Sequence, residues 1–209
     1  MSRRLGALTL DTVGDLPAPC LSCVAWELAP AAASAAERAG DLEFEKEAWL
    51  SSVLLEWGSC GRIAYVDDEP VGFVAYAPPA FVPRSMGFAT SPVSSDAVLL
   101  MTGAVQPVHR GGGIARMLVQ GAAKDLTRRG VRAIEAFGTS DGTEVGIGPA
   151  HGCLVPADFL LAVGFKTVRP HRRHPRLRLD LRTALSWRED VEQALEKILG
   201  TVRVPVLSS

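Results

Sequence analysis

The stretch VQPVHRGGGIA, residues 105–115, decides the fold, because it joins a buried strand to the clearest helix of the chain. Before it, the run DAVLLMTGAV is almost continuously apolar, which is typical of a strand buried on both faces. After it, IARMLVQGAAKDLTRR places apolar residues from Ile114 to Leu126 at helical spacing and ends in basic residues before Gly130. The sequence therefore predicts a strand, a glycine loop and a helix in that order.

The glycines of this loop, Gly111, Gly112 and Gly113, suit a bound phosphate group. Glycine lets the backbone approach a ligand closely, and a helix N-terminus adds roughly half a positive charge. Arg110 would add a charge-assisted hydrogen bond. The loop is therefore predicted to bind a phosphate or pyrophosphate, with a plain structural turn as the alternative.

Two common nucleotide-binding motifs do not fit the loop. A Walker-type loop ends in Gly-Lys-Ser/Thr, whereas here Ile114 and Ala115 follow the glycines. The dinucleotide fingerprint G-x-G-x-x-G is not spelled by GGGIAR either. Nucleoside triphosphate chemistry is therefore disfavoured.

The remaining pattern predicts an α/β fold with a mixed central β-sheet and helices on both faces. Upstream of the loop we expect a short strand, two helices and an antiparallel hairpin, at residues 5–10, 31–57 and 61–79. Downstream we expect a strand, a short helix, a hairpin and a last amphipathic helix, at residues 131–138, 155–164, 165–181 and 187–199. We predict one domain over residues 1–182, atypical over 1–60, with residues 183–209 as a helix and tail packed on it.

The loop resembles the coenzyme A motif of the GNAT (GCN5-related) N-acetyltransferase superfamily. The family pattern Arg/Gln-x-x-Gly-x-Gly/Ala, preceded by V-x-P, is matched by VQPVHRGGGIA, with Arg110, Gly113 and Ala115 at its defining positions. The segment DFLLAVGFKTVR is similar to the family's closing segment, in which Gly164 and Phe165 end a short helix. The resemblance covers about Ile63 to Leu181.

The resemblance implies that acetyl-CoA is the co-substrate and that it binds in a cleft beside the loop. The strand before the loop would pair with the pantetheine arm, and the loop amides would bind the pyrophosphate. The implied binding residues are Ala104, Val105, Arg110, Gly111, Gly112, Gly113, Ile114 and Ala115. The implied reaction is direct transfer of the acetyl group to an amine in a ternary complex. A catalytically weak or inactive acyl-CoA-binding module is the alternative.

The usual catalytic acid of the family is absent from this sequence. Relatives often carry a tyrosine four residues before the Gly of the closing segment, where this chain has Leu160. The same register places Cys153 where relatives often have an asparagine near the cofactor. Cys153 is therefore a candidate acid or acyl acceptor, with a space-filling role as the alternative. His151 and Asp158 are further candidate acids or bases.

Glu135 is the candidate general base. It interrupts the apolar run AIEAFG, and a carboxylate in such a strand is costly to bury without a role. The alternative is an ion pair with an arginine such as Arg132 or Arg116.

Composition limits the location and the partners of the chain. The net charge is -1, and no apolar run approaches the roughly 20 residues of a membrane span, so we expect a cytoplasmic protein that binds neither nucleic acid nor membrane. The four cysteines predict free thiols, and we expect no metal, although Cys20 and Cys23 have the spacing of two zinc ligands.

The acceptor and the oligomeric state stay open. The basic run KTVRPHRRHPRLR, from Lys166 to Arg178, would suit an anionic acceptor or an acidic protein surface, with a solvated hairpin as the alternative. It lacks the interleaved aromatic residues that stack nucleic acid bases. The terminal helix packs either on the domain or on a second copy in a homodimer.

Overall fold

The computed structural model describes residues 2–140 and 153–181 of the 209-residue chain. Within these residues the strands form a mixed eight-stranded sheet. The strands are β1 (Arg3–Ala7), β2 (Gly61–Val66), β3 (Glu69–Ala77), β4 (Ala97–Val105), β5 (Ala133–Thr139), β6 (Val155–Pro156), β7 (Lys166–Arg169) and β8 (Arg176–Asp180).

Five helices accompany the strands in the part of the chain that the structure describes. They are α1 (Ala18–Leu21), α2 (Pro30–Ala39), α3 (Leu42–Glu56), α4 (Ile114–Arg128) and α5 (Ala157–Ala162). Gly40 ends α2 with a φ of 79°, a left-handed conformation that glycine adopts without strain. The two helices predicted over residues 31–57 are thus α2 and α3, separated at Gly40 and Asp41.

The order of the sheet is β1-β2-β3-β4-β5-β8-β7, and β6 pairs with β5 outside this path. Every neighbouring pair is antiparallel except β4 with β5 and β5 with β6. The parallel step from β4 to β5 is crossed by α4, as parallel pairing requires. The predicted mixed sheet is therefore confirmed.

Alternate residues of the strands enter two separate hydrophobic cores, so the sheet is covered on both faces. One core contains Leu99, Met101 and Phe137 together with the N-terminal segment and α3. The other contains Leu100 and Ala136 together with α4 and α5. Helices on both faces, predicted from the element order, are confirmed.

The N-terminal segment before α2 was the least predictable part. Its first strand begins two residues earlier than expected, at Arg3, and pairs with β2 along its whole length. The apolar residues of the stretch CLSCVAWEL, residues 20–28, follow neither a helical nor a strand period clearly, and in the structure the stretch contains the end of the one-turn helix α1 and then an irregular segment. The predicted last helix, residues 187–199, and the predicted tail lie outside the described residues.

Candidate functional site

The two central parallel strands separate halfway along β4. Their pairing covers only Ala97 to Leu99 of β4, opposite Ala133 to Glu135 of β5. Beyond Leu99, β4 continues to Val105, and among the described residues it pairs there with β3 alone. β5 pairs instead with the short β6 at its own end. Within residues 2–140 and 153–181, the half of β4 nearest the glycine loop therefore has one unpaired edge.

Backbone groups along this open edge are available to a ligand. The Gln106 N–H donates to the Val71 carbonyl on the β3 side at 2.9 Å. Because backbone groups of successive strand residues point to opposite edges, Gly103 and Val105 face the open edge and Ala104 faces β3. The edge geometry therefore favours Gly103 and Val105 over the predicted Ala104 for contacts to an extended ligand.

The glycine loop ends where α4 begins, and its conformation depends on glycine. Gly111 has a φ of 79° and Gly113, the residue that caps α4, a φ of 80°, both in the left-handed region. A Cβ added to either residue would meet nothing within 4 Å, so the space beside both is open. The first amides of α4 have no partner within the helix. A cradle of this kind fits an anionic group such as a pyrophosphate.

Two arginines contact the backbone of this region. Arg110 Nε donates to the carbonyl of Val105 at 3.1 Å. Arg3, on β1, donates from Nη1 to the carbonyl of Gly112 at 2.8 Å. Both side chains are exposed, so they add positive charge beside the loop. Arg3 was not among the residues predicted from the sequence.

A small cavity of about 20 Å³ lies on the face of the sheet that the N-terminal segment and α3 cover. It is large enough for about one water molecule. Thr102 contributes to its wall from β4, in the part of the strand that β5 leaves unpaired. The other chemically active residues of its wall are Cys20, Cys23, Glu27, Lys46 and Cys153. The cavity therefore brings thiols and one ion pair together beside the open half of β4.

Cys153 is held in a fixed position at this cavity. Its backbone has a φ of 51°, which is unfavourable for a residue with a side chain, and its side chain is buried. The indole N–H of Trp26 donates to its carbonyl at 3.4 Å. Trp26 in turn stacks on Phe88 and Phe137, with ring centroids 5.5 and 6.5 Å away.

Cys23 is the sulfur neighbour of Cys153. The two Sγ atoms lie 3.3 Å apart in a thiol–thiol hydrogen bond, and both residues are buried. This bond, more than the N–H of Ala25, lowers the pKa of the Cys23 thiol against the opposing effect of burial. Burial instead raises the pKa of Cys20 and of Cys60 to about 12.

A buried ion pair stands on the same wall. Lys46 Nζ, from α3, binds the Oε1 atom of Glu27, whose Oε2 atom accepts from the N–H of Trp26 at 3.1 Å. The exposed fractions are only 4% for Glu27 and 9% for Lys46. Two opposite charges are therefore held away from water beside the thiols.

Glu135 is fully buried in a second ion-pair network. Its Oε2 atom lies 2.5 Å from Arg176 and 3.1 Å from the N–H of Ser94, and its Oε1 atom lies 3.3 Å from Arg178. Arg178 also binds Asp96 through two bonds of 2.9 Å. The arginine partners are thus Arg176 and Arg178, where the sequence analysis had named Arg132 or Arg116 as examples. The base role of Glu135 stays a prediction.

The other predicted catalytic positions are separated. Leu160 is fully buried in the core beside α4, whereas Cys153 belongs to the core on the opposite face of the sheet. The two side chains therefore lie on opposite faces of the sheet. Asp158 is exposed in the first turn of α5. His151 lies outside the described residues.

The basic run divides into two parts. Arg176 and Arg178 are bound to carboxylates, whereas Arg172 and Arg173 are exposed at the turn of the β7–β8 hairpin. This turn is fixed to the end of β5, because the N–H of Ser140 donates to the carbonyl of Arg173 at 2.9 Å. The exposed positive charge of Arg172 and Arg173 therefore lies at the C-terminal end of β5. This end follows the residues of β5 that pair with β4.

The described residues contain neither a metal-binding cluster nor a membrane-spanning helix. No group of histidine, cysteine, aspartate and glutamate side chains in residues 2–140 and 153–181 is arranged to hold a metal ion, the Cys20 and Cys23 pair included. In the same ranges, no helix is both long enough and apolar enough to cross a membrane.

Most of the cavity wall was not predicted from the sequence. Cys20 and Cys23 were predicted to be free thiols, with zinc binding as the alternative, and Glu27, Lys46 and Thr102 were not predicted to be functional. One signal was available, since Glu27 interrupts the apolar run CVAWEL as Glu135 interrupts AIEAFG. The pairing with Lys46 could not be deduced, because it joins residues 19 apart across two helices and a turn.

The fold is shared with solved acetyltransferase structures. PaiA N-acetyltransferase from Thermoplasma acidophilum, in complex with coenzyme A, superposes with a TM-score of 0.55 at 10% identity over 86% of this chain and 99% of its own. An N-acetyltransferase from Staphylococcus aureus Mu50 gives 0.55 at 13% identity over 87% and 99%. The loading GNATL domain of CurA from Lyngbya majuscula gives 0.53 at 12% identity over 88% and 100%. At such identities the likeness concerns the fold alone.

The family follows from the sequence itself. No curated protein sequence matches the chain. The model of the acetyltransferase (GNAT) family, in contrast, matches residues 24–145, which include β4, the glycine loop and α4. This match covers more than half of the chain and includes Glu27 of the cavity wall and all of β5. The chain therefore belongs to the GNAT acetyltransferase family.

Proposed function

We propose that this protein is an N-acetyltransferase that moves an acetyl group from acetyl-CoA to an amine by direct transfer in a ternary complex. The observation that carries the proposal is the unpaired edge of β4, which leads directly into the glycine loop and the N-terminus of α4. One extended ligand with a pyrophosphate could use all three features together.

Acetyl-CoA would be held by backbone groups more than by side chains. Gly103 and Val105 would pair with the pantetheine arm, in the way that a further strand would. The amides from Gly111 to Ala115 would bind the pyrophosphate, with positive charge from Arg110. The thioester would then lie where β4 and β5 separate, beside the cavity that Cys153 lines.

The reaction needs an acid for the departing thiolate and a base for the amine. Cys153 is the proposed acid, because its thiol lies at the cavity and an ordinary cysteine thiol is similar in acidity to the thiol that leaves. Direct transfer is favoured over an acyl-enzyme because the family resemblance implies it.

Glu135 remains the predicted base, and the structure offers Glu27 as a second candidate. Glu135 would have to leave Arg176 or Arg178 to accept a proton. Glu27 would have to leave Lys46, but it already lines the same cavity as Cys153. Asp158 and His151 stay as further candidates from the sequence.

The acceptor is proposed to be an anionic amine or an amine on an acidic protein surface. The support is the exposed positive charge of Arg172 and Arg173, anchored at the end of β5. Arg84, whose guanidinium lies 5.0 Å from the ring of Trp26, adds charge near the aromatic residues that hold Cys153.

The test is release of free thiol from acetyl-CoA across a panel of amines, amino acids and peptides. The panel should pair each neutral amine with an acidic analogue of similar size. We expect amine-dependent release, fastest with acidic acceptors. Binding of acetyl-CoA without release in the presence of any acceptor would contradict the proposed transferase activity.

A further inference from the structure

Two cysteines from distant parts of the chain meet at the candidate active site. Cys23 follows α1, Cys153 precedes β6, and 130 residues separate them. Their Sγ atoms are 3.3 Å apart, whereas the sulfurs of a disulfide are about 2.05 Å apart. A small approach of the two side chains would therefore be enough for a covalent bond.

The surroundings make Cys23 the more reactive of the two. Its hydrogen bonds with the Cys153 thiol and the N–H of Ala25 lower the pKa of the Cys23 thiol, and Lys46 adds a smaller effect in the same direction. Burial and the negative charge of Glu27 oppose them, but the pKa remains below its ordinary value. These contacts favour its thiolate, which is the form that reacts with oxidants. Burial holds Cys20 and Cys60 in the protonated form, so these thiols are expected to be inert.

The cavity gives a small oxidant a place beside both sulfurs. Cys23 and Cys153 both line it, and its volume of about 20 Å³ matches a molecule of the size of water. Hydrogen peroxide is only slightly larger. Bulky disulfides such as oxidised glutathione would not enter such a space.

We propose that Cys23 and Cys153 form a reversible disulfide in response to hydroperoxides and that this bond switches the candidate active site off. The Cys23 thiolate attacks one peroxide oxygen, the O–O bond breaks, and a sulfenic acid forms while the leaving oxygen takes a proton and departs as water. The sulfur of Cys153 then attacks the Cys23 sulfur, the S–O bond breaks, and the thiol proton leaves with the hydroxyl as a second water. The two thiols are oxidised and one peroxide is reduced.

The bond would act on catalysis because it uses the side chain of the proposed acid. It would also tie the segment after α1 to the segment before β6, across the cavity. Formation of the bond is independent of the transferase activity. Its effect on turnover rests on the proposed function, so the two are measured separately.

The first experiment determines whether the bond forms. The reduced full chain is treated with hydrogen peroxide, remaining thiols are alkylated, and the protein is analysed by intact mass and peptide mapping. We expect the loss of two hydrogen atoms, a peptide linking Cys23 to Cys153, and reversal by dithiothreitol. The controls Cys20→Ala and Cys60→Ala should form the link, and Cys23→Ala should not.

Other products would overturn the proposal. A link between Cys20 and Cys23, sulfinic acid on Cys23 without a link, or unmodified thiols would each do so. The second experiment compares turnover before and after peroxide, with expected loss of about tenfold or more that dithiothreitol restores. Cys23→Ala should be insensitive to peroxide. Unchanged turnover in linked protein would reject the switch, whereas lack of activity in the reduced protein would contradict only the proposed function.

Discussion

The indole N–H of Trp26 donates to the carbonyl of Cys153 at 3.4 Å, so a residue of the N-terminal segment positions the proposed acid. Trp26 is 1% exposed, and its indole stacks on Phe88 and Phe137, which also stack on each other. Cys153 can therefore keep a left-handed backbone that would otherwise be unfavourable. The segment before α2 is for this reason part of the site and not an appendage to the fold.

Replacement of Cys153 separates a catalytic role from a packing role. Cys153→Ala should lower the turnover number by about tenfold or more with similar acetyl-CoA affinity, because the departing thiolate loses its acid. The matched control is Cys60→Ala, another buried cysteine with no contact to the cavity. Both variants should lose about 1 kcal/mol of stability. Full turnover in a folded Cys153→Ala protein would reject the acid role and any acyl-enzyme at this residue.

Glu135→Gln distinguishes a base from a structural partner. If Glu135 is structural, the variant removes the carboxylate charge beside the buried Arg176 and costs about 3–5 kcal/mol of unfolding free energy, whereas Arg178 keeps Asp96 and Asp180 as partners. Asp180→Asn is the control, because Asp180 also pairs with Arg178 but is exposed, so its loss should cost less than about 1 kcal/mol. Chemical denaturation measures both. Unchanged stability with lost turnover would instead support the base role.

Much of the fold could be predicted from the sequence because its central elements have local signals. Three elements are each indicated by a pattern within about twenty residues: the apolar run of β4, the helical period of α4 and the turn between β2 and β3. The structure confirms all three. The glycine loop was recognisable for the same reason, since its residues are contiguous.

The part of the site that could not be predicted depends on long-range contacts. The separation of β4 from β5 at Leu99 is set by strand pairing, which leaves no local pattern. The contact of Cys23 with Cys153 joins residues 130 apart, and the pairing of Glu135 with Arg176 joins residues 41 apart. Cys20 and Cys23 have the spacing of two zinc ligands, whereas in the structure Cys23 contacts Cys153.

Neutralising the exposed basic turn tests the acceptor. Arg172→Gln with Arg173→Gln should raise KM for an acidic amine several-fold and leave KM for acetyl-CoA nearly unchanged, with an effect that shrinks as salt increases. Lys124→Gln with Arg128→Gln removes the same charge from exposed positions on α4 and should change neither constant. Equal KM values for the acceptor at low salt would remove the turn from acceptor recognition.

The most direct test of the account is the affinity of acetyl-CoA for the chain and for two glycine variants, measured by calorimetry. Gly113→Val and Gly40→Val place the same side chain at the same backbone angles, φ 80° and 79°, and in both places a Cβ meets nothing within 4 Å. Both should therefore share a similar conformational cost of about 1–2 kcal/mol, but only Gly113 lies in the proposed pyrophosphate cradle. We predict that Gly40→Val binds as the parent does and that Gly113→Val binds about a hundredfold more weakly or not at all. Equal affinity of the parent and a folded Gly113→Val protein would contradict the assignment of the site.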